Sequence, residues 1–360
     1  MSRVALVHDW LLNFAGAERL LKAVHDLFPG PVHTLLHDEK KIPIWKEVQT
    51  SFLQSLPFAR SCHRYFLPLF PKAIEQFDLS NYDLILSSSH AVAKNVLTHS
   101  KQLHICYCHT PMRYAWDLYH EYMRELKGLK AWYARKVLHH VRTWDAASSA
   151  RVDHFVANSQ YVAKRIEKTY RRAAKVIYPP VVTSRFNLGR KEDYYLTVSR
   201  LVPYKKVDLL VRAFSKLDRK LIVVGSGPEM TNIKAIAGKN VEILGEVSEE
   251  KVAELMSKAR AFLFAADEDF GLSPVEAQAA GTPVIAYGKG GVLETVIEHR
   301  TGLFFHQQDV ESIIDAIHRF EQAEFCSMEI RQHALKFDEV RFKNEFQQYV
   351  KEKLDEFYCS

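Results

Sequence analysis

Short apolar runs that alternate with amphipathic stretches extend along the whole chain. They lie at 4–7, 31–36, 82–87, 104–108, 154–157, 194–198, 221–224, 241–244, 261–265 and 282–287. Each run is too short for a buried helix and is followed by polar residues or glycine, which is typical of strands buried in a parallel sheet. The pattern predicts an α/β protein, and 360 residues are enough for about two domains.

A stiff extended stretch divides the chain near its middle. Pro179 and Pro180 come shortly after the predicted strand 175–177, and a new series of strands begins at 194. We therefore place a linker at about 179–191, a first doubly wound domain at 1–180 and a second at 190–337. The amphipathic tail, 338–360, is predicted to be a helix.

The most specific chemistry lies at 261–296. An apolar strand at 261–265 leads through a turn into a predicted helix at about 275–280. In that turn, the N–H groups of Leu272 and Ser273 would face outward at a helix start, which suits a phosphate. Gly271 would allow a ligand to approach the backbone closely.

Two glutamates bracket this turn. Glu268 precedes it and Glu276 follows eight residues later, inside the helix. Carboxylates so placed can accept hydrogen bonds from the hydroxyl groups of one ligand. Asp267 and Asp269 offer a competing interpretation, because paired carboxylates also bind hard metal ions.

The residues of this stretch carry a family resemblance. Glu268-x7-Glu276, with Phe270-Gly271-Leu272 inside it and the run 279–284 (AAGTPV) after it, resembles the donor-site signature of retaining glycosyltransferases of family four. The sequence looks closest to the bacterial O-antigen and polysaccharide mannosyltransferases.

The resemblance implies the GT-B fold. This fold has two Rossmann-like domains with an interdomain cleft, and its C-terminal helix crosses back to the first domain. It also implies that Phe270, Gly271, Leu272 and Ser273 bind the donor, that Glu268 is catalytic and that no metal is needed.

Two cations follow the first strand of the second domain. Arg200 and Lys205 match an Arg–Lys pair of the family pattern, which holds the departing diphosphate. Fixed positive charge at that point would lower the barrier as the leaving group gains negative charge. Lys206 stands where the pattern often has glycine, so either lysine could serve.

Other site residues are implied by the resemblance alone. Gly225 belongs to a loop near the nucleotide, although a lone Gly-x-Gly is weak evidence. Backbone groups around Leu244 would line the base pocket, and Glu276 would bind the ribose. In the first domain, His109 would face the donor sugar and Gly16 would lie near the donor phosphates. A structural histidine and an ordinary turn glycine are the alternatives.

Charge is unevenly distributed between the halves of the chain. Residues 1–185 carry 26 lysines and arginines against 15 acids, and residues 186–360 carry 23 against 28. The segment 51–79 mixes aromatic and basic residues, which suits an anionic membrane surface. A core helix with snorkelling basic side chains is an equal alternative. The basic, aromatic stretch 119–149 is predicted to be one helix, which either contacts acceptor or membrane or is simply solvated.

Composition limits the cellular setting. Five irregularly spaced cysteines indicate a reducing compartment. The first ten residues do not have the form of a signal peptide, and no apolar run is long enough to span a bilayer. We expect a cytoplasmic protein, or one peripheral at the inner face of the cytoplasmic membrane. No RNA- or DNA-binding motif accompanies the basic residues, so we expect no nucleic acid partner.

The expected function is that of a retaining hexosyltransferase. It would move mannose from GDP-mannose to a glycan or lipid-linked saccharide in polysaccharide or lipopolysaccharide synthesis, without a cofactor. A UDP-sugar-dependent transferase of the same fold and a non-catalytic nucleotide-sugar-binding module are the alternatives.

Overall fold

A computed structural model describes residues 2–124 and 126–359 of the chain. The polypeptide forms two compact units. One comprises residues 1–179 and 342–360, and the other comprises residues 180–341. Each unit has its own parallel sheet with its own hydrophobic core.

The first unit is built on a sheet of seven parallel strands, as far as the described residues show. The strands are β1 (Val4–His8), β2 (Val32–Thr34), β3 (Val48–Thr50), β4 (Leu84–Ser89), β5 (Leu103–Cys108), β6 (His154–Ala157) and β7 (Ala174–Val176). Their order is β3-β2-β1-β4-β5-β6-β7. The direction of winding reverses between β1 and β4, which is where open α/β sheets bind ligands at the carboxyl ends of their strands.

Helices cover both faces of this sheet. They are α1 (Gly16–Leu27), α2 (Ala59–Cys62), α3 (Phe70–Glu75), α4 (Tyr119–Arg124), α5 (Gly128–Ser148) and α6 (Gln160–Tyr170). Short 3₁₀ turns lie at Phe52–Ser55, His63–Leu69, Ala93–Asn95 and Ser149–Arg151. Ser159 caps α6 by accepting a hydrogen bond from the Val162 N–H.

The second unit repeats the same plan with six strands among the described residues. They are β8 (Tyr195–Val198), β9 (Leu221–Val224), β10 (Val241–Gly245), β11 (Ala261–Phe264), β12 (Val284–Tyr287) and β13 (Gly302–Phe305), in the order β10-β9-β8-β11-β12-β13. The helices are α7 (Val207–Phe214), α8 (Met230–Ile236), α9 (Glu249–Lys258), α10 (Leu272–Ala279), α11 (Val292–Thr295), α12 (Val310–Glu321) and α13 (Ser327–Ala334). Winding reverses between β8 and β11, so the expected binding edge of this unit lies there.

The C-terminal helix α14 (Glu339–Cys359) packs on the first unit. Phe342, Phe346 and Val350 are fully buried in the same core cluster as β1 and α1, and Lys343 bonds to Asp26 at 3.2 Å. A tail that returns to the first unit is what the expected fold class requires.

The helix predicted at 119–149 was wrong as a single helix, and one of the two alternatives for 51–79 is excluded. The stretch 119–149 is two helices, because α5 begins at Gly128, whose φ of +58° is a left-handed conformation that ends any continuous helix. The segment 51–79 is a series of short helical pieces, α2 and α3 with the 3₁₀ turns around them, rather than one core helix. Pro57, Pro68 and Pro71 interrupt it, and Phe58 has a φ of +60°.

No helix among the described residues has the length and apolar character that crossing a membrane would require.

Candidate functional site

Three loops meet at the binding edge of the second unit. One follows β8 and contains Arg200 and Lys205, and one follows β11 and contains Glu268 and the start of α10. The third follows β9 and contains Gly225, whose N–H donates to the Gly245 carbonyl at 2.7 Å. Because β8 is the central neighbour of both β9 and β11, the sheet itself brings these loops together.

Lys205 and Glu268 form a direct ion pair across this edge. The Nζ of Lys205 donates to Oε1 of Glu268, and both side chains are more than four-fifths buried. Two residues that the same family resemblance assigns to the site, 63 positions apart in sequence, are therefore in direct contact. An anionic ligand would therefore either displace the Glu268 carboxylate from Lys205 or bind Lys205 beside it.

Arg200 occupies the outer part of the same loop. Its side chain is exposed, and its Nη2 lies 3.5 Å from the Tyr204 hydroxyl. Lys206 directly follows Lys205 with a φ of +54°, the left-handed conformation for which glycine is favoured. This conformation gives a physical reason why the family pattern often has glycine at that position.

The start of α10 has the backbone geometry that the sequence predicts, although the helix begins earlier than expected. Gly271 is the N-cap with a φ of +85°, and the helix begins at Leu272 rather than near 275. The N–H groups of Leu272 and Ser273 therefore belong to the first turn, where no intrahelical acceptor exists for them. Pro274 has no N–H to leave unsatisfied there.

The side chain of Phe270 points into the core. It is 3% exposed, and its ring lies 5.7 Å from that of Phe337. A donor-binding role for Phe270 would therefore fall to its backbone. Glu276 lies one turn into α10 and is half-buried.

The acidic pair beside Glu268 has its own cationic partner. Asp267 lies 3.0 Å from the Nζ of Lys289 in the loop after β12. Within the described ranges, no group of three or more His, Cys, Asp or Glu side chains has an arrangement that could hold a metal ion.

The loop after β9 needs its glycine for a steric reason. Gly225 has a φ of +130°, and a Cβ there would lie 1.9 Å from the Ser199 carbonyl oxygen. On the neighbouring strand the pairing register shifts between Ile243 and Gly245, which leaves Leu244 out of register with β9. A bulge at this point leaves backbone groups that the ladder does not use.

At the binding edge of the first unit, buried polar side chains surround His109. This histidine follows β5, and its Nε2 lies 2.9 Å from the hydroxyl of Ser88 at the end of β4. Burial, together with the nearby imidazoles of His90 and His8, lowers the pKa of His109 to about 3. His109 is therefore a neutral imidazole at physiological pH and acts as a hydrogen-bonding group.

Asp9, at the end of β1, fixes the loop that follows β4. Its buried carboxylate accepts four backbone N–H bonds, from residues 90 to 93, at 2.6–2.9 Å. Burial opposes its ionisation, but the neighbouring His90 and His8 and these N–H groups hold its pKa below the usual value. An acid directly after a strand is the signal by which sequence reasoning could have found this role.

Glu18 was also missed, although it lies beside a predicted site residue. Gly16 is the first residue of α1, and the preceding Ala15 donates its N–H to Oε2 of Glu18 at 2.9 Å. Oε1 of Glu18 lies 3.6 Å from Nε2 of His8, and both side chains are buried. One backbone donor near Gly16 is thus already satisfied from within the protein.

Comparisons with known proteins cover both units. Residues 17–185 match the family model described as Glycosyltransferase Family 4, and residues 183–337 match the model described as Glycosyl transferases group 1. An uncharacterised glycosyltransferase of Methanocaldococcus jannaschii is 30% identical over 172 residues, which are 46% of this chain and 48% of that protein.

Another relative has a named activity. The GDP-mannose-dependent alpha-(1-6)-phosphatidylinositol monomannoside mannosyltransferase of Mycobacterium tuberculosis is 29% identical over 193 residues, 44% of this chain and 50% of that protein. The chain thus spans about half the length of these curated relatives. Among solved structures, Anabaena HepE in complex with UDP superposes with a TM-score of 0.73 over 97% of this chain and all of that one, at 16% identity.

These matches agree with the two sheets and their strand order. The first domain of this chain is similar to glycosyltransferase family 4, the second is similar to the group 1 glycosyl transferases, and the chain has the fold of the GT-B glycosyltransferases.

Proposed function

We propose that this protein transfers a hexose, mannose from GDP-mannose, onto a glycan or lipid-linked saccharide acceptor in the synthesis of a bacterial polysaccharide such as lipopolysaccharide. The observation that carries the proposal is the Lys205–Glu268 pair beside the start of α10. It joins a cation, an acceptor of hydroxyl hydrogens and two outward N–H groups at one edge of a sheet. The sequence similarity to a GDP-mannose-dependent enzyme supports the choice of donor.

The chemistry assigns a task to each group. Lys205 and Arg200 hold the diphosphate and stabilise the negative charge that develops on it as the glycosidic bond breaks. The amides of Leu272 and Ser273 bind phosphate oxygen, Glu268 binds sugar hydroxyls, and Glu276 binds the ribose.

The reaction that we propose retains the configuration of the anomeric carbon. No side chain in the assigned set is an obvious covalent nucleophile, so the acceptor attacks the face that the diphosphate leaves, and the leaving phosphate helps to remove its proton. No metal takes part in this scheme. The test is the anomeric proton coupling of the newly made product by NMR. A product of inverted configuration would contradict the retaining mechanism without affecting the assignment of the donor.

The donor is tested by thermal unfolding of the full chain with GDP-mannose, UDP-glucose and ADP-glucose in parallel. A ligand that binds only the folded form at about 100 times its Kd stabilises it by about 2.7 kcal/mol. We expect GDP-mannose to raise the unfolding temperature more than the other two. No shift with any sugar nucleotide would overturn the proposal.

A UDP-sugar donor is the second candidate. A UDP complex is known for HepE, a solved structure whose fold this chain shares over nearly its whole length. A larger shift with UDP-glucose than with GDP-mannose would favour it. Binding of either donor without transfer to any saccharide acceptor would indicate a non-catalytic binding module.

We also propose that the first unit contacts an anionic membrane surface, where a lipid-linked acceptor would lie. The support is a set of exposed large apolar side chains: Phe58 and Tyr65 are 80% and 86% exposed, and Leu129 and Trp132 are 85% and 53% exposed. Arg60, Arg64, Lys127 and Lys130 accompany them in sequence. Aromatic side chains with nearby basic ones favour the interface of anionic lipid.

The membrane proposal is tested by vesicle flotation. We expect the chain to float with vesicles that contain phosphatidylglycerol and to float less with purely zwitterionic vesicles. A variant with Phe58→Ser and Tyr65→Ser should lose the preference, and one with the exposed Met328→Ser in the second unit is the matched control. Equal flotation with both vesicle types would contradict the proposal.

A further inference from the structure

A continuous chain of polar contacts leads from Glu18 to His109 inside the first unit. Oε1 of Glu18 is 3.6 Å from Nε2 of His8, and Nδ1 of His8 is 3.2 Å from the Ser88 hydroxyl. The same hydroxyl oxygen is 2.9 Å from Nε2 of His109. Ser88 thus bridges two imidazoles. Ser88 is 2% exposed, so both contacts are shielded from bulk water.

The single hydroxyl hydrogen of Ser88 can serve only one of these two rings. A hydroxyl group donates once and accepts through its lone pairs, and a neutral imidazole has one donor and one acceptor nitrogen. If Ser88 donates to His8, then Nε2 of His109 must carry the hydrogen that points to Ser88. The opposite arrangement would reverse the tautomer of His109.

Glu18 selects between the two arrangements. Its carboxylate lies in a buried position next to Nε2 of His8, where an N–H is attracted and a lone pair is repelled. When the His8 ring carries a single hydrogen, that hydrogen therefore lies on Nε2, and the lone pair on Nδ1 faces Ser88. Ser88 then donates to His8 and accepts from His109.

We propose that Ser88 is a positioning residue that holds His109 as the Nε2–H tautomer, so that Nδ1 of His109 is kept as an acceptor for a hydroxyl hydrogen of the ligand. This inference rests on the proposed function only in the identity of that ligand, a sugar. Glu18 and His8 act behind Ser88 and set the direction of the chain. A histidine whose tautomer is fixed before binding does not have to exchange its proton when the sugar arrives.

The tautomer is measured without any substrate. Long-range ¹H–¹⁵N spectra of the full chain labelled at histidine distinguish a protonated ring nitrogen from an unprotonated one, and the His109→Asn variant assigns the signal. We expect His109 to show a protonated Nε2 and an unprotonated Nδ1. A protonated Nδ1 on His109, which a doubly protonated His8 would impose, would overturn the proposal.

Variants at both ends of the chain test the cause. Ser88→Ala should give His109 signals averaged between the two tautomers, and Ser88→Thr, which keeps the hydroxyl, should restore the wild-type pattern. Ser89→Ala is the matched control, because the neighbouring Ser89 hydroxyl is equally buried and has no hydrogen-bond partner among the described residues. Glu18→Gln should also give His109 signals averaged between the two tautomers, although Ser88 is unchanged. This variant provides the test if Ser88→Ala does not fold. Unchanged His109 signals in both variants would refute the role of the chain.

A kinetic measurement separates this inference from the proposed function. In a sugar-transfer assay, Ser88→Ala should lower kcat/KM about tenfold, a change of about 1.4 kcal/mol in barrier, and Ser89→Ala should not. If His109 has the expected tautomer but the protein transfers no sugar, the role of Ser88 stands and only the proposed transferase activity is refuted. If Ser88→Ala loses the His109 tautomer in the NMR spectra but keeps the wild-type kcat/KM, the positioning role is refuted.

Discussion

Lys205 and Glu268 are ion-paired across the carboxyl ends of the neighbouring strands β8 and β11, although 63 residues separate them in sequence. In the absence of a ligand, each therefore neutralises part of the other's charge. In the proposed donor site, Lys205 would bind the diphosphate and Glu268 would bind the sugar. The ion pair holds these two side chains in place before the donor binds.

This pairing predicts opposite effects on binding and on turnover. Glu268→Gln removes the charge that competes for Lys205, so GDP should bind roughly two- to fivefold more tightly, a difference of about 0.4–1 kcal/mol in binding free energy. The same variant should lower sugar transfer by about 100-fold, because it weakens the acceptor for the sugar hydroxyls. Titration calorimetry with GDP and a transfer assay provide the two numbers. Wild-type turnover in Glu268→Gln would contradict the role assigned to this carboxylate.

Lys206 offers a test of which lysine serves the diphosphate. Its φ of +54° strains a side-chain-bearing residue, so Lys206→Gly should raise the free energy of unfolding by about 1 kcal/mol. Donor binding should be unchanged, since Lys205 rather than Lys206 contacts Glu268. Urea denaturation and calorimetry measure the two effects. Loss of GDP binding in Lys206→Gly would transfer the role to Lys206.

Asp9 is expected to be essential to the stability of the first unit. Asp9→Asn places an amide group against four backbone N–H donors in a buried position, where an unsatisfied or repelled polar group costs about 1–3 kcal/mol. We expect a loss of about 3 kcal/mol in urea denaturation. The exposed Asp78, which caps a turn through the Ser80 N–H, is a matched control, and Asp78→Asn should change stability by much less. Equal losses in the two variants would contradict this account of Asp9.

The buried His104 predicts a pH dependence of stability. Burial lowers its pKa from 6.5 to about 4. Between these values the unfolded chain binds more protons than the folded one, so stability is retained above pH 6.5 and lost as the pH falls towards 4. At about 1.4 kcal/mol for each pH unit, His104 should account for roughly 2 kcal/mol between pH 6.5 and 5.

His104→Gln should make the pH dependence shallower, and the exposed His318→Gln should leave it unchanged. The measurement is the free energy of unfolding at a series of pH values. In the more acidic part of this range Asp9 and Glu18, whose pKa values are lowered, add losses of the same sign. An identical slope in His104→Gln and the wild type would show that His104 does not cause the effect.

Periodicity predicted most of the fold, and it failed where the local pattern is weak. The apolar runs 221–224 and 154–157 are strands with the predicted bounds, because buried parallel strands are almost entirely apolar. The pattern did not predict β3 or β13. β3 is a three-residue strand whose side chains are partly exposed, and β13 begins with a glycine. A single-residue conformation, φ at Gly128, broke the helix expected at 119–149, and hydrophobic spacing does not report such conformations.

The candidate site divides in the same way. The backbone geometry at Gly271 could be predicted because it depends on a short local stretch of sequence. The network of Asp9, Ser88 and Glu18 could not, because its partners come from three separate segments, which only the parallel order of β1 and β4 brings together. The sequence shows polar residues at the strand ends 8–9 and 88–90. Their spacing does not indicate that Ser88 connects His8 to His109.

The most direct test of the central claim is titration calorimetry of GDP-mannose into the full chain and into Lys205→Ala, with Lys206→Gly as the matched control. We expect saturable heat with the wild type and the control. Lys205→Ala should weaken binding by about tenfold or more, since a charge-assisted hydrogen bond contributes about 1.5–3 kcal/mol. Saturable binding of equal strength in Lys205→Ala, or no heat from GDP-mannose, UDP-glucose or ADP-glucose with the wild type, would contradict the account.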